Sequence, residues 1–250
     1  MKKDKSTIEK KLKEIHNFCV KNSKKSNIEK LSRYFKEGFD GYGLDQKVYE
    51  TQRDKWIEEW KSEMTLSEYL NLGDELVRVG KYEEISFAIS FIKSERKNYS
   101  KSTFNRIGRW FDIGMTNWAN TDVLCMLVLS SFFIDNVIEL NELKLWTASD
   151  SEWKRRAVPV TLVELIKHDL KPKKVFPLIE PLMSDDSEYV QKGIGTLLRG
   201  LWKIYPEEIE DFLMKWKDKC GRLIIQYATE KMSKDYRTKF RKTKKNISKI

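Results

Sequence analysis

Trp118 and Asp122 stand four residues apart in the stretch TNWANTDVLC, which holds no other acidic residue. If the stretch is helical, the two side chains lie on one face, one turn apart. An indole face and a carboxylate both attract positive charge, so the pair could hold a cationic group. Two ordinary interpretations compete with this one: Asp122 as a helix N-cap or first-turn residue, and Trp118 as a core residue. The residues alone leave the choice open.

Other catalytic arrangements find little support in the sequence. His16 and His168 are far apart and have no second ligand at helical spacing, so we expect them at the surface. The stretch GYGL at 41–44 lacks the Lys-Ser/Thr ending of a phosphate-binding loop. The odd number of cysteines and the lack of a C-x-x-C pair argue against a disulfide framework or a thiolate zinc site; they are Cys19, Cys125 and Cys220. We therefore expect no metal and no organic cofactor.

Two further stretches place cationic side chains within helical patterns. ASDSEWKRRAVPV has Arg155 and Arg156 near a predicted helix start. Because adjacent helical positions diverge by roughly 100°, one of these two should point away from any ligand. YVQKGIGTLLRGLWK puts Lys192 and Arg199 seven residues apart, on one helical face. Its two inner glycines each cost a helix about 1 kcal/mol relative to alanine, which indicates close helix packing or a close ligand backbone.

The net charge of +10 steers the chain toward polyanions, of which nucleic acid is the commonest inside cells. A ribosome-rich or membrane-surface partner would fit charge alone equally well. The amino terminus MKKDKSTIEKKLKEI has no apolar core of a secretory signal. No segment approaches the roughly 20 apolar residues that span a bilayer. We expect a monomeric, cytoplasmic protein that does not enter membranes.

The sequence pattern predicts that these side chains are positioned by amphipathic helices. Five prolines and eleven glycines leave little turn material, and no strand alternation appears. Thr65 and Glu68 form a predicted capping box, and Pro159 should kink or break its helix. The helices come in pairs of roughly 35 to 45 residues, the size of HEAT or armadillo units. Spacing alone supports an all-α fold and leaves a solenoid open.

Three motifs in order carry a family resemblance. They are N-W-x-x-x-D at 117–122, A-S-D-x-x-W-x-x-R-A at 148–157, and F/Y-x-Q-K-x-I-G-x-x-L-R at 189–199. Together they resemble the AlkD-type DNA glycosylases, the HEAT-like-repeat alkylpurine DNA glycosylases. The upstream stretch SNIEKLSRYFKEGFDGYGLDQKVYE is similar to the early helix pair of that family. The resemblance runs from about Asn27 to about Met232.

This resemblance implies an all-α, right-handed superhelical solenoid of HEAT-like helix pairs with a concave basic groove. We expect one such domain over residues 1–232 and a basic tail over 233–250, either helical or disordered. The tail cations are expected either to contact DNA or to be solvated; they are Lys234, Arg237, Lys239, Arg241, Lys242, Lys244 and Lys245.

The resemblance also implies roles for single residues. Trp118 matches the tryptophan that packs against the deoxyribose of the damaged nucleotide, and Asp122 matches the catalytic aspartate. Arg156 and Arg199 match arginines that hold DNA phosphates, and Arg155 and Lys192 are further candidates for DNA binding. The chain departs from the pattern at Thr196, where active members carry a second tryptophan.

The implied activity is release of N3- or N7-alkylated purines from damaged double-stranded DNA, with the lesion still in the base stack. Two alternatives stay open at this point. Without an aromatic ring at Thr196, the scaffold could recognise damaged or branched DNA without catalysis. A HEAT-like protein-interaction scaffold would show no preference for DNA over other polyanions.

Overall fold

The computed structural model describes residues 2–243, and every regular element within them is helical. The all-α prediction is therefore confirmed for the described chain, which contains no β-strand. The described residues form two compact units, one ending at Ile138 and the other beginning at Glu139. The superhelical arrangement, the groove and the single-domain boundary at residue 232 stay predictions.

The first unit is built from helices α1 to α9. Their bounds are Lys2–Lys21 (α1), Lys25–Ser32 (α2), Gln46–Trp60 (α3), Leu66–Val79 (α4), Tyr82–Ser94 (α5), Lys101–Gly108 (α6), Trp110–Ile113 (α7), Trp118–Leu124 (α8) and Ser130–Ile134 (α9). A short 3-10 helix lies at Arg96–Asn98, and a π-helical turn at Cys125–Leu129 joins α8 to α9. The capping box at Thr65 is present, with reciprocal bonds to Glu68.

Aromatic packing forms the core of this unit. Trp56 and Trp60 of α3 stack with ring centroids 5.2 Å apart, and Phe87 and Phe91 of α5 pack against them at 5.1 and 5.3 Å. Burying rings of this size is the largest apolar contribution available to a helix pair. As a result α5 is fixed at the centre of the unit, and α8 packs on α5.

The second unit is built from helices α10 to α14. Their bounds are Glu152–Leu165 (α10), Pro172–Ile179 (α11), Glu188–Trp202 (α12), Pro206–Trp216 (α13) and Arg222–Ala228 (α14), with 3-10 turns at Leu140–Ala148, Ile166–His168, Glu180–Leu182 and Tyr236–Phe240. Pro159 lies inside α10, which continues to Leu165, so the expected break does not occur there.

The first part of the predicted basic tail contains the 3-10 helix Tyr236–Phe240. Lys244 and Lys245 lie outside the described residues.

Two glycines let α12 pack tightly between its neighbours. A Cβ on Gly193 would lie 3.1 Å from Pro159 Cγ of α10, and a Cβ on Gly195 would lie 2.5 Å from Tyr227 Cβ of α14. Positions two apart on a helix face nearly opposite sides, so each glycine serves one partner helix. Of the two explanations that the sequence left open, the geometry supports close helix packing.

Candidate functional site

The start of α8 is set by an asparagine cap. The Asn117 side-chain oxygen accepts the backbone N–H of Asn120 at 2.8 Å, and the Asn117 amide donates to the Asn120 side-chain oxygen at 2.7 Å. Trp118 is consequently the first helical residue, and Asp122 lies in the second turn. The interpretation of Asp122 as an N-cap or first-turn residue is wrong, because Asn117 already fills that role.

The opposite face of α8 is anchored in the core. The buried Asn120 amide donates to the Tyr82 carbonyl and the Ser86 hydroxyl of α5, each at 3.1 Å. The Thr121 hydroxyl donates to the Asn117 carbonyl at 2.8 Å, and Thr121 has no exposed surface. Rotation of α8 would break the two hydrogen bonds that Asn120 makes to α5. Trp118 and Asp122 are therefore held together on the partly exposed side of the helix.

Trp118 is oriented by the segment that follows α2. Its indole N–H donates to the carbonyl of Tyr34 at 3.2 Å. Its ring stacks on Phe35, with centroids 5.7 Å apart and planes inclined by 28°. Phe35 in turn packs on Phe39 and Tyr82, at 5.2 and 6.0 Å. The indole is thus braced on one side by an aromatic cluster, and sequence reasoning did not identify Tyr34 or Phe35 as its supports.

A buried carboxylate fixes the far end of the same segment. Glu83 accepts the backbone N–H groups of Tyr42, Gly43 and Leu44 at 2.8, 2.7 and 3.1 Å. The neighbouring Glu84 accepts the Tyr42 hydroxyl at 2.8 Å. Both glutamates begin α5 and are almost fully buried. The GYGL loop is thereby tied to the helix on which α8 packs.

Apolar surface follows Asp122 directly along the chain. In the π-helical turn, Met126 and Leu127 are 48% and 37% exposed. Val123 and Leu127 line a cleft of about 490 Å³ whose walls also carry Lys30 and Arg53. π-helical turns occur often at functional sites because they shift side chains out of the regular helical register. Here the turn leaves large apolar side chains at the surface beside a half-buried carboxylate.

Arg155, in the second unit, is held within the protein. Its guanidinium donates to the Asp185 carboxylate at 2.6 and 3.3 Å, and to the carbonyls of Ser149 and Asp150 at 2.7 and 3.0 Å. The hydrogen bond to Asp185 raises the pKa of Arg155. Bidentate arginine pairs of this kind have fixed geometry. Arg155 therefore joins the loop before α10 to the segment before α12.

The remaining predicted DNA contacts lie on α10 and α12. Arg156 is 9% exposed and donates to the carbonyl of Tyr189. Lys192 lies 3.2 Å from Glu188, and Arg199 pairs with Glu230 of the segment after α14. Thr196 is half-buried, one turn after Lys192 on the same helical face. Lys192, Thr196 and Arg199 therefore form one stripe, in which both cations already have carboxylate partners.

The described residues contain neither a candidate metal site nor a candidate membrane-spanning helix. Within residues 2–243, His, Cys, Asp and Glu side chains nowhere gather in threes that could bind a metal ion. No helix in that range has the length and apolar character needed to cross a bilayer. The three cysteines are buried and unbridged.

The sequence model of the DNA alkylation repair enzyme family matches residues 18–232. This chain belongs to that family. Trp118, Asp122, Arg156, Thr196 and Arg199 all lie within the matched residues, whereas the segment after residue 232 lies outside them. The family resemblance seen in the three motifs is confirmed.

Solved structures share the fold of this DNA alkylation repair family member. A protein from Enterococcus faecalis, described as a predicted DNA alkylation repair enzyme, matches with a TM-score of 0.73 and 17% identity, over 85% of this chain and 98% of its own. AlkD2 from Streptococcus mutans matches with a TM-score of 0.56 and 19% identity, over 82% of this chain and 97% of its own. Among curated proteins no match is found.

Proposed function

We propose that this family member is a DNA glycosylase that hydrolyses the N-glycosidic bond of cationic N3- or N7-alkylated purines in double-stranded DNA. One observation carries the proposal: Trp118 and Asp122 share the partly exposed face of α8, whose other face is anchored by Asn120. Neither side chain is needed to cap the helix, since Asn117 does so. The family match supports reading this face as the reacting one.

The reaction suits a carboxylate beside an indole. When the bond between C1′ and the purine nitrogen breaks, its electron pair goes to the base, which becomes neutral, and positive charge develops on the sugar. Water then adds its oxygen to C1′ and releases a proton. Asp122 would stabilise the sugar cation and orient that water, and the Trp118 ring would contact the sugar. Because the alkylated base leaves as a neutral molecule, no acid is required to protonate it.

The size of the electrostatic effect is appropriate for catalysis. A carboxylate about 4 Å from a unit charge contributes roughly 4 kcal/mol at an effective dielectric near 20. That free energy corresponds to about a thousandfold in rate. An indole face adds about 0.5 to 2 kcal/mol through its cation–π interaction. The rest of the acceleration would come from the substrate's own charge.

Phosphate contacts would come from Arg156, Lys192 and Arg199. Since Lys192 and Arg199 pair with Glu188 and Glu230, a phosphate would have to compete with these carboxylates. A DNA strand, which is held by several contacts at once, competes with these carboxylates better than a single small anion does. We assign Arg155 to hold the 149–151 loop, because its donors are shared among Asp185 and two carbonyls.

A comparison of lesions tests the proposal. Duplex DNA carrying N7-methylguanine or N3-methyladenine is incubated with the protein, and released bases are separated by chromatography. A matched duplex carrying uracil serves as the neutral control. We expect release of the alkylpurines and none of uracil, because only the cationic bases leave without an acid. Equal release of uracil, or no release from either alkylated duplex, would exclude the mechanism.

Thr196 favours a second candidate, in which the protein binds damaged DNA without cleaving it. A threonine supplies no ring to complete an aromatic clamp, although the cations on both sides of it are in place. This candidate predicts salt-sensitive DNA binding that Arg199→Gln weakens, with no base release. Thr196→Trp separates the two, since a clamp-deficient enzyme should gain release activity and a pure binding protein should not.

A further inference from the structure

A cationic cleft lies beside α14, outside the residues that the three motifs cover. It has a volume of about 640 Å³, and its floor includes Ile225 and the fully buried Phe240. Among the described residues, five cationic side chains line it and no carboxylate does; they are Lys217, Arg222, Arg237, Arg241 and Lys242. Three of the five follow residue 232, where the family match ends.

The segment 233–243, here called the strap, is attached to Glu210 of α13 and to Asp218, just after that helix. The Tyr236 hydroxyl lies 3.0 and 2.9 Å from the two Glu210 oxygens, and Lys239 donates to Glu210 at 2.7 Å. The backbone N–H of Thr243 donates to Asp218 at 2.6 Å, and its hydroxyl to the same carboxylate at 3.1 Å. With Phe240 buried between these two attachments, the strap forms a defined wall of the cleft.

These attachments engage two carboxylates, Glu210 and Asp218. The backbone hydrogen bond from Thr243 lowers the pKa of Asp218. Burial raises the pKa of Glu210, but hydrogen bonds led by Lys239 outweigh it and leave that pKa lowered. Both groups are thus carboxylates committed to the strap. Glu210 is engaged at its attachment by Tyr236 and Lys239, whereas Asp218 is also approached by Lys217, one of the cations that line the cleft.

The cleft cations differ in this respect from those on α12. Lys192 and Arg199 each have a carboxylate partner. Over residues 2–243, Arg222, Arg237 and Arg241 form no ion pair with a carboxylate, and only Lys217 lies near one, 3.5 Å from Asp218. Like charges gathered without counter-charges repel one another. An anionic ligand bound in this cleft would reduce the repulsion between these cations.

We propose that this cleft binds backbone phosphates of a double-stranded DNA ligand, as a second anchoring site formed by the strap and α14. Guanidinium groups match phosphate oxygens in planar, bidentate geometry. Three arginines around one cleft can therefore hold successive oxygens of a strand, while Lys217 is already turned toward the strap carbonyl of Arg241 at 3.2 Å. This binding needs no base excision and applies equally to undamaged DNA.

The test is a salt titration of binding to undamaged duplex DNA by fluorescence anisotropy. The test variant is Arg222→Gln/Arg237→Gln/Arg241→Gln, which leaves Phe240 and Tyr236 intact. The charge-matched control is Lys47→Gln/Lys93→Gln/Lys97→Gln, three exposed lysines of the first unit. Thermal unfolding of each variant checks that both remain folded.

Each lost phosphate contact removes about 0.9 from the slope of log K against log salt, equal to roughly eightfold in affinity at about 0.1 M salt. We expect the test variant to lose a slope of about 2 to 3 relative to the control. An equal slope in the two variants overturns the proposal. The proposal is also overturned if the test variant no longer binds a free deoxynucleoside monophosphate but keeps the same salt dependence of duplex DNA binding. That result would assign the cleft to a small ligand. Because the titration uses undamaged duplex and measures binding alone, failure of the glycosylase proposal does not change how this result is interpreted.

Discussion

Replacement of Glu83 by glutamine should destabilise the support beneath Trp118, whereas the same replacement of Glu84 should not. Glu83 uses one carboxylate oxygen for the Tyr42 N–H and the other for the N–H groups of Gly43 and Leu44. A glutamine keeps the shape but turns one oxygen into a donor. One buried N–H would then face another N–H group, and the other two hydrogen bonds would lose their charged acceptor.

The expected cost follows from the strengths of these hydrogen bonds. Losing one bond to a charged group costs about 1.5 to 3 kcal/mol, and weakening two others costs about 1 kcal/mol each. Removing a buried charge returns about 1 to 2 kcal/mol of desolvation. The net loss for Glu83→Gln is therefore about 1.5 to 4 kcal/mol, or roughly 3 to 16 °C in the midpoint of thermal unfolding.

Glu84→Gln is the matched control at the adjacent position. One Glu84 oxygen accepts the Tyr42 hydroxyl at 2.8 Å and lies 3.3 Å from Nδ1 of the exposed His16, and the other has no hydrogen-bond partner among the described residues. Burial, followed by the hydrogen bond to Glu84, raises the pKa of Tyr42, so its hydroxyl remains a donor. A glutamine can keep this bond and place its amide at the unpartnered oxygen. We expect a change within about 1 kcal/mol. Equal destabilisation by the two variants, measured by thermal and urea unfolding, would refute this reasoning.

Three further outcomes are expected. Phe35→Leu removes a stacked ring worth about 0.5 to 1.5 kcal/mol, so single-turnover base release should fall roughly 2- to 10-fold while binding of undamaged DNA is unchanged. Gly195→Ala should lower stability by about 1 to 3 kcal/mol in urea unfolding, because its Cβ would lie 2.5 Å from Tyr227 Cβ. Since the folded pKa of Asp218 is depressed, its hold on Thr243 is present above the ordinary value near 4 and is lost as pH falls through the folded pKa. Pepsin should then cut the strap faster, and Asp218→Asn should make it sensitive to trypsin at neutral pH.

Helical periodicity was sufficient to predict the all-α fold and several helix ends. The Thr65 capping box forms as the pattern predicts, and α13 begins at Pro206, where proline's fixed φ and missing donor suit the first turn. These features depend on residues close together in sequence. Of the kink or break that the same local pattern predicts at Pro159, the break does not occur, because α10 continues to Leu165.

Contacts between distant residues could not be predicted in the same way. The stretch after Ser32 continues a helical pattern, yet the helix ends there and Phe35 packs on Trp118, 83 positions further along the chain. The pairing of Arg155 with Asp185 and of Arg199 with Glu230 likewise joins residues about thirty apart. Tertiary packing overrides local propensity at such places. The positions of Trp118 and Asp122 on one face followed from their spacing, but the supports of that face did not.

The most direct measurement is the single-turnover rate of alkylpurine release by Asp122→Asn, compared with the wild type and with the control Glu58→Gln. Glu58 is an exposed carboxylate of α3 paired with Lys61, so its variant makes the same chemical change away from α8. We predict a rate about a thousandfold lower for Asp122→Asn, with binding of undamaged DNA unchanged and Glu58→Gln equal to the wild type. Release by Asp122→Asn at the wild-type rate would contradict the assignment of Asp122 to the reacting sugar.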